Sequence, residues 1–307
     1  MARPGCSIVS MKDTTRITLV QFTLKDDIDA VIDGLPGFFE QAAAFGSDLI
    51  VFPEYTLGHR VTLDDPRVKR FFELAKQHRI YAVGGLVEAI GDRWATTSLM
   101  IDRDGNLLGR YLKTHPAAGV GKWCWPPIEG HDAEAKGILG DRFKVWPLDF
   151  GVVGILQCYD GLFPEAWGCT SFMGAEIILW INGRSSDVDD PICIAMAQSY
   201  GVVVGANVTD GANTGFAQPR YGKHVIAEGQ PEPARLFPRI AEKGDACISA
   251  EIDLRELREC RKHLRQVHQR RPEMYGLLTQ DATIWQDYPD IPWTHPACEQ
   301  FVNRSQL

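Results

Sequence analysis

The sequence predicts an α/β fold in which helices cover a mixed β-sheet. Short apolar runs of strand type alternate with helical patterns, beginning with residues 17–22, 30–45 and 49–52, and this alternation is typical of a layered α/β core. The pair Asp104-Gly105 lies between two further apolar runs and is a hairpin signal, which indicates that part of the sheet is antiparallel. No low-complexity linker divides the 307 residues, and we therefore expect one principal domain.

The first half predicts strands and helices in alternation, followed by antiparallel strands. Apolar residues at helical spacing predict a helix over 30–45, which we expect its glycines and Pro36 to interrupt. A proline at a favourable first position opens a second helix over 66–77. The predicted strands are residues 17–22, 49–52, 80–87, 95–101 and 107–112.

The second half resembles the first in outline and is separated from it by a long loop, residues 114–141, rich in Gly, Pro and Trp. Loops of that length are uncommon in compact domains and are often functional. Helices are predicted over 164–173 and 191–200. The predicted strands are residues 144–148, 152–157, 176–181 and 202–206, with shorter ones within 223–227, 236–239 and 246–252.

Charge and apolar content argue against binding to nucleic acid or to membranes. The net charge is −8, which is unfavourable for binding a polyanion. The basic stretch 255–271 is interrupted by Glu256 and Glu259 and is interpreted as a solvated helix. No apolar run has the length of a membrane span, and residues 1–15 lack the apolar core of a signal peptide. We expect a cytoplasmic protein.

Cysteine spacing and missing motifs argue against a metal or a cofactor. The eight cysteines are irregularly spaced and form no Cys-x-x-Cys pair, which favours free thiols over a zinc or redox site. Neither a Gly-x-Gly-x-x-Gly segment after the first strand nor a phosphate-binding Gly-x-x-x-x-Gly-Lys-Ser segment occurs. We expect no cofactor and no metal.

Three reactive side chains each follow an apolar strand. Cys158 follows the strand over 152–157 and precedes a glycine turn and a Pro-initiated helix, while Glu54 and Lys113 end two other strands. Any one of these residues alone is more often structural than catalytic. A thiol, a carboxylate and an ammonium group at the same ends of strands indicate an acyl-transfer site.

The chemistry of such a site assigns a role to each group. Because the thiolate is the nucleophile, Cys158 needs a base, and a desolvated Glu54 has its pKa raised toward neutrality. The oxyanion would receive hydrogen bonds from the Tyr159 N–H and from Lys113. A Cys–His site is the alternative, with candidates at His59, His115 and His131, but no papain-type segment supports it.

These segments resemble the motifs of the nitrilase superfamily of carbon–nitrogen hydrolases. Residues 52–55 (Phe-Pro-Glu-Tyr) are similar to its general-base motif and residues 111–115 (Tyr-Leu-Lys-Thr-His) to its lysine motif. Residues 156–165 are similar to its nucleophile motif, and residues 271–275 (Arg-Pro-Glu-Met-Tyr) resemble a segment near the end of the hydrolase domain. The resemblance implies a four-layer αββα sandwich with two mixed sheets, paired into an eight-layer dimer or a larger homo-oligomer.

The resemblance also divides the chain. It implies a carbon–nitrogen hydrolase domain over 16–275. Polar composition predicts a flexible leader over 1–15, and the polar but aromatic composition of residues 276–307 predicts a C-terminal arm at a subunit interface. The arm carries Trp285 and Trp293 among several prolines.

A second glutamate belongs to the family's site. Residues 125–130 (Trp-Pro-Pro-Ile-Glu-Gly) are similar to a run of the aliphatic amidase branch, which implies that Glu129 orients the substrate amide and holds Lys113. Glu134 remains the alternative, because the loop is longer here than in amidases.

The pattern around the nucleophile is closest to that of amidases. Tyr159-Asp160 stands where nitrilases in the narrow sense carry Trp-Glu, and Leu162 stands where carbamoyl-amide hydrolases often carry a basic residue. Tyr55, Trp123 and Trp125 suggest a narrow aromatic pocket, unless these rings only pack the loop. Asn182 is expected to form another wall with Tyr159, and Arg184 stays available for an anionic substrate.

The sequence therefore predicts hydrolysis of a small amide to an acid and ammonia through a thioester. Nitrile hydrolysis and N-carbamoyl-amide hydrolysis use the same groups and remain alternatives. A non-catalytic scaffold subunit is an alternative of another class, against which the intact set of Glu54, Lys113 and Cys158 argues.

Overall fold

The fold consists of two β-sheets packed face to face between helices. The computed structural model describes residues 12–23, 28–117, 133–183, 186–219 and 236–280. The strands are β1 Thr14–Gln21, β2 Leu49–Val51, β3 His59–Val61, β4 Tyr81–Ile90, β5 Arg93–Ile101, β6 Leu107–Leu112, β7 Val145–Pro147, β8 Val152–Gln157, β9 Ile177–Ile181, β10 Val203–Asn207, β11 Thr214–Ala217, β12 Arg239–Ile240 and β13 Ala246–Asp253. The α-helices are α1 Ile28–Ala44, α2 Pro66–His78, α3 Ala133–Lys136, α4 Pro164–Phe172, α5 Asp190–Tyr200, α6 Leu254–His263 and α7 Arg265–His268.

Both sheets are mixed, with parallel strands at the centre. The first has seven strands in the order β13-β1-β2-β4-β5-β6, with β3 paired to β4. In it β1, β2 and β4 are parallel neighbours, whereas β5, β6 and β13 are added antiparallel. The second has six strands in the order β12-β11-β10-β9-β8-β7, of which β8, β9 and β10 are parallel. The carboxyl ends of the parallel strands meet at one edge of each sheet, where ligands bind in α/β folds.

Side-chain alternation along the strands creates three apolar layers. On β1, Ile17 and Leu19 face the other sheet, while Val20 faces the helices, as the two-residue period of a strand requires. Helices α1 and α2 cover the outer face of the first sheet, and α4 and α5 cover that of the second. This arrangement confirms the predicted αββα sandwich. The predicted dimer or larger assembly stays a prediction.

Helix α1 continues through the positions where we expected it to be interrupted, and that prediction is wrong. Pro36 lies inside the helix, where proline typically costs about 3 kcal/mol. Packing offsets this cost, because Leu35 and Phe39 are buried and Phe39 contacts Phe52 at 5.6 Å and Phe71 at 5.7 Å between ring centroids.

Several short elements differ from the sequence prediction. β3 and β11 were not predicted, because strands of three and four residues carry too little periodicity. The strand predicted within 236–239 is found as Arg239–Ile240, and the short helix α3 lies inside the predicted loop. The predicted strand within 223–227 and both chain ends lie outside the described residues. No helix in the described parts of the chain has the length and apolarity needed to span a membrane.

Candidate active site

The three predicted reactive residues meet at the carboxyl ends of strands from both sheets. Glu54 follows β2 and Lys113 follows β6 in the seven-stranded sheet, whereas Cys158 follows β8 in the six-stranded sheet. The Lys113 Nζ lies 3.2 Å from Oε1 of Glu54. Glu54 and Lys113 are almost completely buried, at 0% and 2% exposure. The thiol of Cys158 lies close enough to the Glu54 carboxylate to lower the pKa of that carboxyl.

A fourth ionisable residue, Glu134 at the start of α3, completes the cluster. Its Oε1 lies 2.8 Å from the Lys113 Nζ and accepts a hydrogen bond from the Tyr55 hydroxyl at 2.9 Å. Its Oε2 accepts from the Ala117 N–H at 2.6 Å. Lys113 is therefore held between two carboxylates. The residue predicted for this role, Glu129, lies outside the described residues, as do Trp123, Trp125 and Arg184.

The nucleophile lies on a tight turn that the chain stabilises from several sides. Cys158 has φ +47°, a left-handed backbone conformation that is uncommon for a residue with a side chain. It opens a 3-10 helix, Cys158–Leu162, and the Trp180 indole donates to its carbonyl at 2.7 Å. Gly161 packs directly on the Trp180 ring, where a Cβ would overlap it. The sequence signal for this turn was the glycine after the thiol.

Two further glycines leave the space that Glu54 occupies in the site. The sequence analysis assigned this role to neither of them. A Cβ on Gly85 would lie 2.7 Å from the Glu54 Cα. A Cβ on Gly183 would overlap the Tyr55 ring and lie 2.8 Å from Oε2 of Glu54. The Gly183 N–H also donates to the Cys158 sulfur and lowers the pKa of the thiol. These contacts join segments far apart in the chain, and no local pattern predicts them.

Burial and charge prepare Glu54 to act as a base near neutral pH. Burial raises the pKa of Glu54 to about 7, with a further increase from Glu134, while the charge of Lys113 lowers it. Burial and the negative charge of Glu54 raise the pKa of Cys158 to about 12, although the residue as a whole keeps some exposure. The resting thiol therefore keeps its proton until Glu54 accepts it.

Lys113 and Tyr55 remain protonated in this environment. Burial alone would lower the pKa of Lys113, but attraction to Glu54, Cys158 and Glu134 holds it well above its usual value. Burial and the nearby Glu54 raise the pKa of Tyr55, and its hydroxyl stays a hydrogen-bond donor. The site thus contains a fixed cation beside the thiol, which suits the stabilisation of an oxyanion.

The remaining predicted substrate-binding residues lie next to the cluster. Tyr159 occupies the first turn of the 3-10 helix, where amide N–H groups lack intrahelical partners, and its ring contacts Phe163 at 5.4 Å between centroids. Asn182 directly follows β9, but its side-chain amide donates to the carbonyls of Trp180 and Asn207, each at 3.0 Å. In this arrangement the Asn182 amide nitrogen supports the strand ends.

The histidines of the Cys–His alternative make other contacts. The His115 ring stacks on Phe163 at 4.0 Å and lies 3.0 Å from Oδ1 of Asp160 through its Nδ1. The His59 ring stacks on Tyr55 at 4.8 Å. His131 lies outside the described residues. Within those residues, no group of three or more His, Cys, Asp or Glu side chains is arranged to hold a metal ion.

Comparison with known proteins gives consistent results. A family model described as carbon–nitrogen hydrolase matches residues 16–201. A citrullinase from Francisella tularensis subsp. tularensis is 27% identical over 85% of this chain and 96% of its own length. An N-carbamoylputrescine amidase from Arabidopsis thaliana is 25% identical over 87% and 96% of the two chains.

Solved structures share the fold. The C. elegans NitFhit protein matches with a TM-score of 0.71 and 19% identity, over 87% of this chain and 67% of that chain. A mutant of the amidase from Nesterenkonia sp. AN1, in complex with butyramide, matches with a TM-score of 0.61 and 18% identity, over 82% and 96%.

Proposed function

Since the chain belongs to the nitrilase superfamily of carbon–nitrogen hydrolases, we propose that it hydrolyses a small amide to a carboxylic acid and ammonia through a thioester on Cys158. The observation that carries this proposal is the meeting of a thiol, a buried carboxylate and a buried ammonium group at the strand ends. The amidase from Nesterenkonia sp. AN1, whose mutant is solved in complex with butyramide, supports it.

Formation of the thioester begins with proton transfer from Cys158 to Glu54. The sulfur attacks the amide carbon, and the carbonyl π electrons move to oxygen, which receives hydrogen bonds from Lys113 and the Tyr159 N–H. The tetrahedral intermediate then collapses. Its C–N bond breaks, and Glu54 returns the proton to the leaving nitrogen, which departs as ammonia.

Hydrolysis of the thioester uses the same groups. Glu54 takes a proton from water, and the resulting hydroxide adds to the thioester carbon while Lys113 again stabilises the oxyanion. The C–S bond breaks, the acid leaves, and the thiolate regains its proton from Glu54. Attachment of Lys113 to both Glu54 and Glu134 keeps the ammonium group in place throughout.

We assign the role of the second glutamate to Glu134. The assignment rests on its contacts with Lys113, Tyr55 and Ala117, which fix both carboxylate oxygens. Glu129 keeps its predicted role only as an alternative, because it lies outside the described residues.

A second candidate function is hydrolysis of an N-carbamoyl compound. The citrullinase and the N-carbamoylputrescine amidase each align over more than four fifths of this chain, which favours a ureido group as the substrate. Against it stands Leu162, which is 44% exposed at the position where such enzymes often carry a basic residue. Nitrile hydrolysis through a thioimidate stays the third candidate.

A substrate panel with two cysteine variants tests the proposal. Short aliphatic amides, N-carbamoyl amines and nitriles are offered separately, and ammonia release is measured. We expect release from at least one amide, and a loss of at least about 10³-fold in Cys158→Ala. The matched control is Cys169→Ala, since Cys169 is an exposed cysteine on α4 and its removal should leave the rate unchanged.

Three results would reject this proposal or part of it. An unchanged rate in Cys158→Ala excludes the thioester. Ammonia release from ureido substrates alone favours the second candidate. If no substrate of the panel is hydrolysed and iodoacetamide alkylates Cys158 no faster than Cys169, the scaffold alternative is favoured.

A further inference from the structure

The reacting groups lie on two sheets whose mutual contact is largely apolar. At the strand ends, the Asn207 side chain of the six-stranded sheet donates to the carbonyls of Val20 and Val51 of the other sheet. Glu54 and Lys113 follow strands of the seven-stranded sheet, and Cys158 follows a strand of the six-stranded sheet. Hydrophobic contact between the sheets is not directional. Catalysis, however, requires reacting groups to be placed within about 0.5 Å of their productive positions, and this placement needs directional bonds between the sheets.

Asp160 supplies such bonds, two residues beyond the nucleophile. Its carboxylate is completely buried and accepts four hydrogen bonds among the described residues. The donors are the Tyr111 hydroxyl at 2.8 Å, the Thr114 hydroxyl at 2.9 Å, the His115 N–H at 2.8 Å and the Gln157 N–H at 3.0 Å, and the His115 Nδ1 lies 3.0 Å from Oδ1.

These donors come from both sides of the site. Gln157 directly precedes Cys158 on the six-stranded sheet, whereas Tyr111, Thr114 and His115 flank Lys113 on the other sheet. One carboxylate therefore joins the segment carrying the nucleophile to the segment carrying the ammonium group. The Tyr111 side chain is fully buried in the apolar layer between the sheets, and its hydroxyl bond to Asp160 is a polar link at the edge of that layer.

A carboxylate is an unusual group to bury for stability alone. Transfer of a charge from water into a protein interior is unfavourable, and a well-packed apolar group is often at least as stabilising. Carboxylate oxygens offer acceptor positions, and two hydroxyl groups and two backbone N–H groups donate to Asp160. This pairing of donors with acceptor oxygens indicates that Asp160 serves to accept hydrogen bonds from both segments, rather than to fill space in the core.

We propose that Asp160 is a positioning residue that holds Cys158 and Lys113 at the separation needed for Lys113 to meet the oxyanion. This inference rests on the proposed amide hydrolysis for its catalytic readout. Its effect on catalysis is indirect and passes through the two segments that it joins.

Asp160→Asn tests the proposal by replacing one acceptor oxygen with a donor amide. The new NH₂ group then faces hydroxyl and N–H groups that are themselves donors, so these hydrogen bonds are lost. We expect kcat to fall by about 10²-fold with KM changed by less than about threefold, because the misplaced ammonium group affects the transition state more than substrate binding. Alkylation of Cys158 by iodoacetamide forms no oxyanion, and its rate should fall by less than about fivefold.

A matched control separates positioning from general destabilisation. Thr18→Val removes a buried hydrogen bond, between the hydroxyl groups of Thr18 and Ser47 at 2.7 Å, away from the strand ends that carry the site. We expect it to lower the thermal unfolding midpoint and to leave kcat within about twofold. The buried Cys193 should stay protected from alkylation in both variants, since each remains folded at the assay temperature.

Milder variants carry the test if Asp160→Asn does not fold. Tyr111→Phe and Thr114→Val each remove one donor, and each should lower kcat by at least about threefold with little change in KM. The proposal is overturned if kcat in these variants stays within twofold of the wild type, or if kcat falls only in proportion to the folded fraction.

The alkylation rates need no substrate and keep this test separate from that of the proposed function. If amide hydrolysis is wrong, the wild type releases no ammonia from any amide of the panel. If only the role of Asp160 is wrong, the wild type is active and the variants retain their kcat.

Discussion

The pH dependence of the reaction should follow the ionisation of Glu54. Burial raises the pKa of this carboxyl to about 7, partly opposed by Lys113, and only the ionised form can accept the thiol proton. Below its pKa, the fraction of active enzyme falls tenfold for each pH unit. At pH 5 the value of kcat/KM should therefore lie about 100-fold below its plateau.

The thiol should not add a second transition in the accessible range. Burial and Glu54 raise the pKa of Cys158 to about 12, and the plateau should extend from about pH 8 upward. A cysteine that ionised on its own would instead give a rate that rises through about pH 8.5. The position of the transition therefore distinguishes a base-assisted thiol from an independent thiolate.

Initial rates of ammonia release measure this profile. The substrate is held far below KM and the ionic strength is constant between pH 5 and pH 9. Enzyme incubated at pH 5 and returned to pH 8 must recover its activity, which excludes irreversible unfolding. A profile that is flat between pH 5 and pH 7, or one that continues to rise beyond pH 8, contradicts the assignment of Glu54 as the base.

The remaining predictions concern Glu54, Glu134 and Glu129. Because the pKa of Glu54 is raised from 4.5 to about 7 in the folded state, its contribution to stability is fully present below about pH 4.5 and is lost as the pH rises through about 7. Glu54→Gln removes this titration, and its free energy of unfolding relative to the wild type should increase by roughly 2 to 3 kcal/mol from pH 5 to pH 8. Urea denaturation measures the difference, and a pH-independent value would disprove it. Glu134→Gln removes a negative charge beside Lys113 and should lower kcat/KM by about ten- to a hundredfold. The same variant should shift the acid transition of kcat/KM to lower pH, because Glu134 raises the pKa of Glu54. Glu129→Gln is the paired comparison in the same assay, and a larger loss there than in Glu134→Gln would restore Glu129 to the role of second glutamate.

The sheets could be predicted from the sequence because their strands are apolar and long enough to show a period. β4 and β8 are examples, buried along most of their length. Helix α1 shows where local signals fail. Pro36 predicts an interruption, but the burial of Leu35 and Phe39 against residues of other elements decides the outcome.

The site was predictable to the extent that its residues stand at the ends of such strands. Cys158, Lys113 and Glu54 were identified in this way, and the structure brings them together. The choice between Glu129 and Glu134 was not predictable, since spacing along a loop does not determine which carboxylate turns back to Lys113. The same holds for Gly183, whose close contact with Tyr55 depends on packing between β9 and a distant loop.

The balance of charge explains why this cluster suits base catalysis. One ammonium group, Lys113, is shared by two carboxylates, Glu54 and Glu134, and it cannot fully compensate both of them. The excess negative charge and the burial act in the same direction on Glu54 and bring its pKa close to neutrality, where a general base is most effective. If Glu134 were absent, Lys113 would pair with Glu54 alone. Glu54 would then be ionised, but its pKa would be lower and it would be a weaker base. Glu134 therefore does more than hold the ammonium group in place, because its charge also raises the pKa of Glu54 and so favours transfer of the proton from Cys158 to that carboxylate.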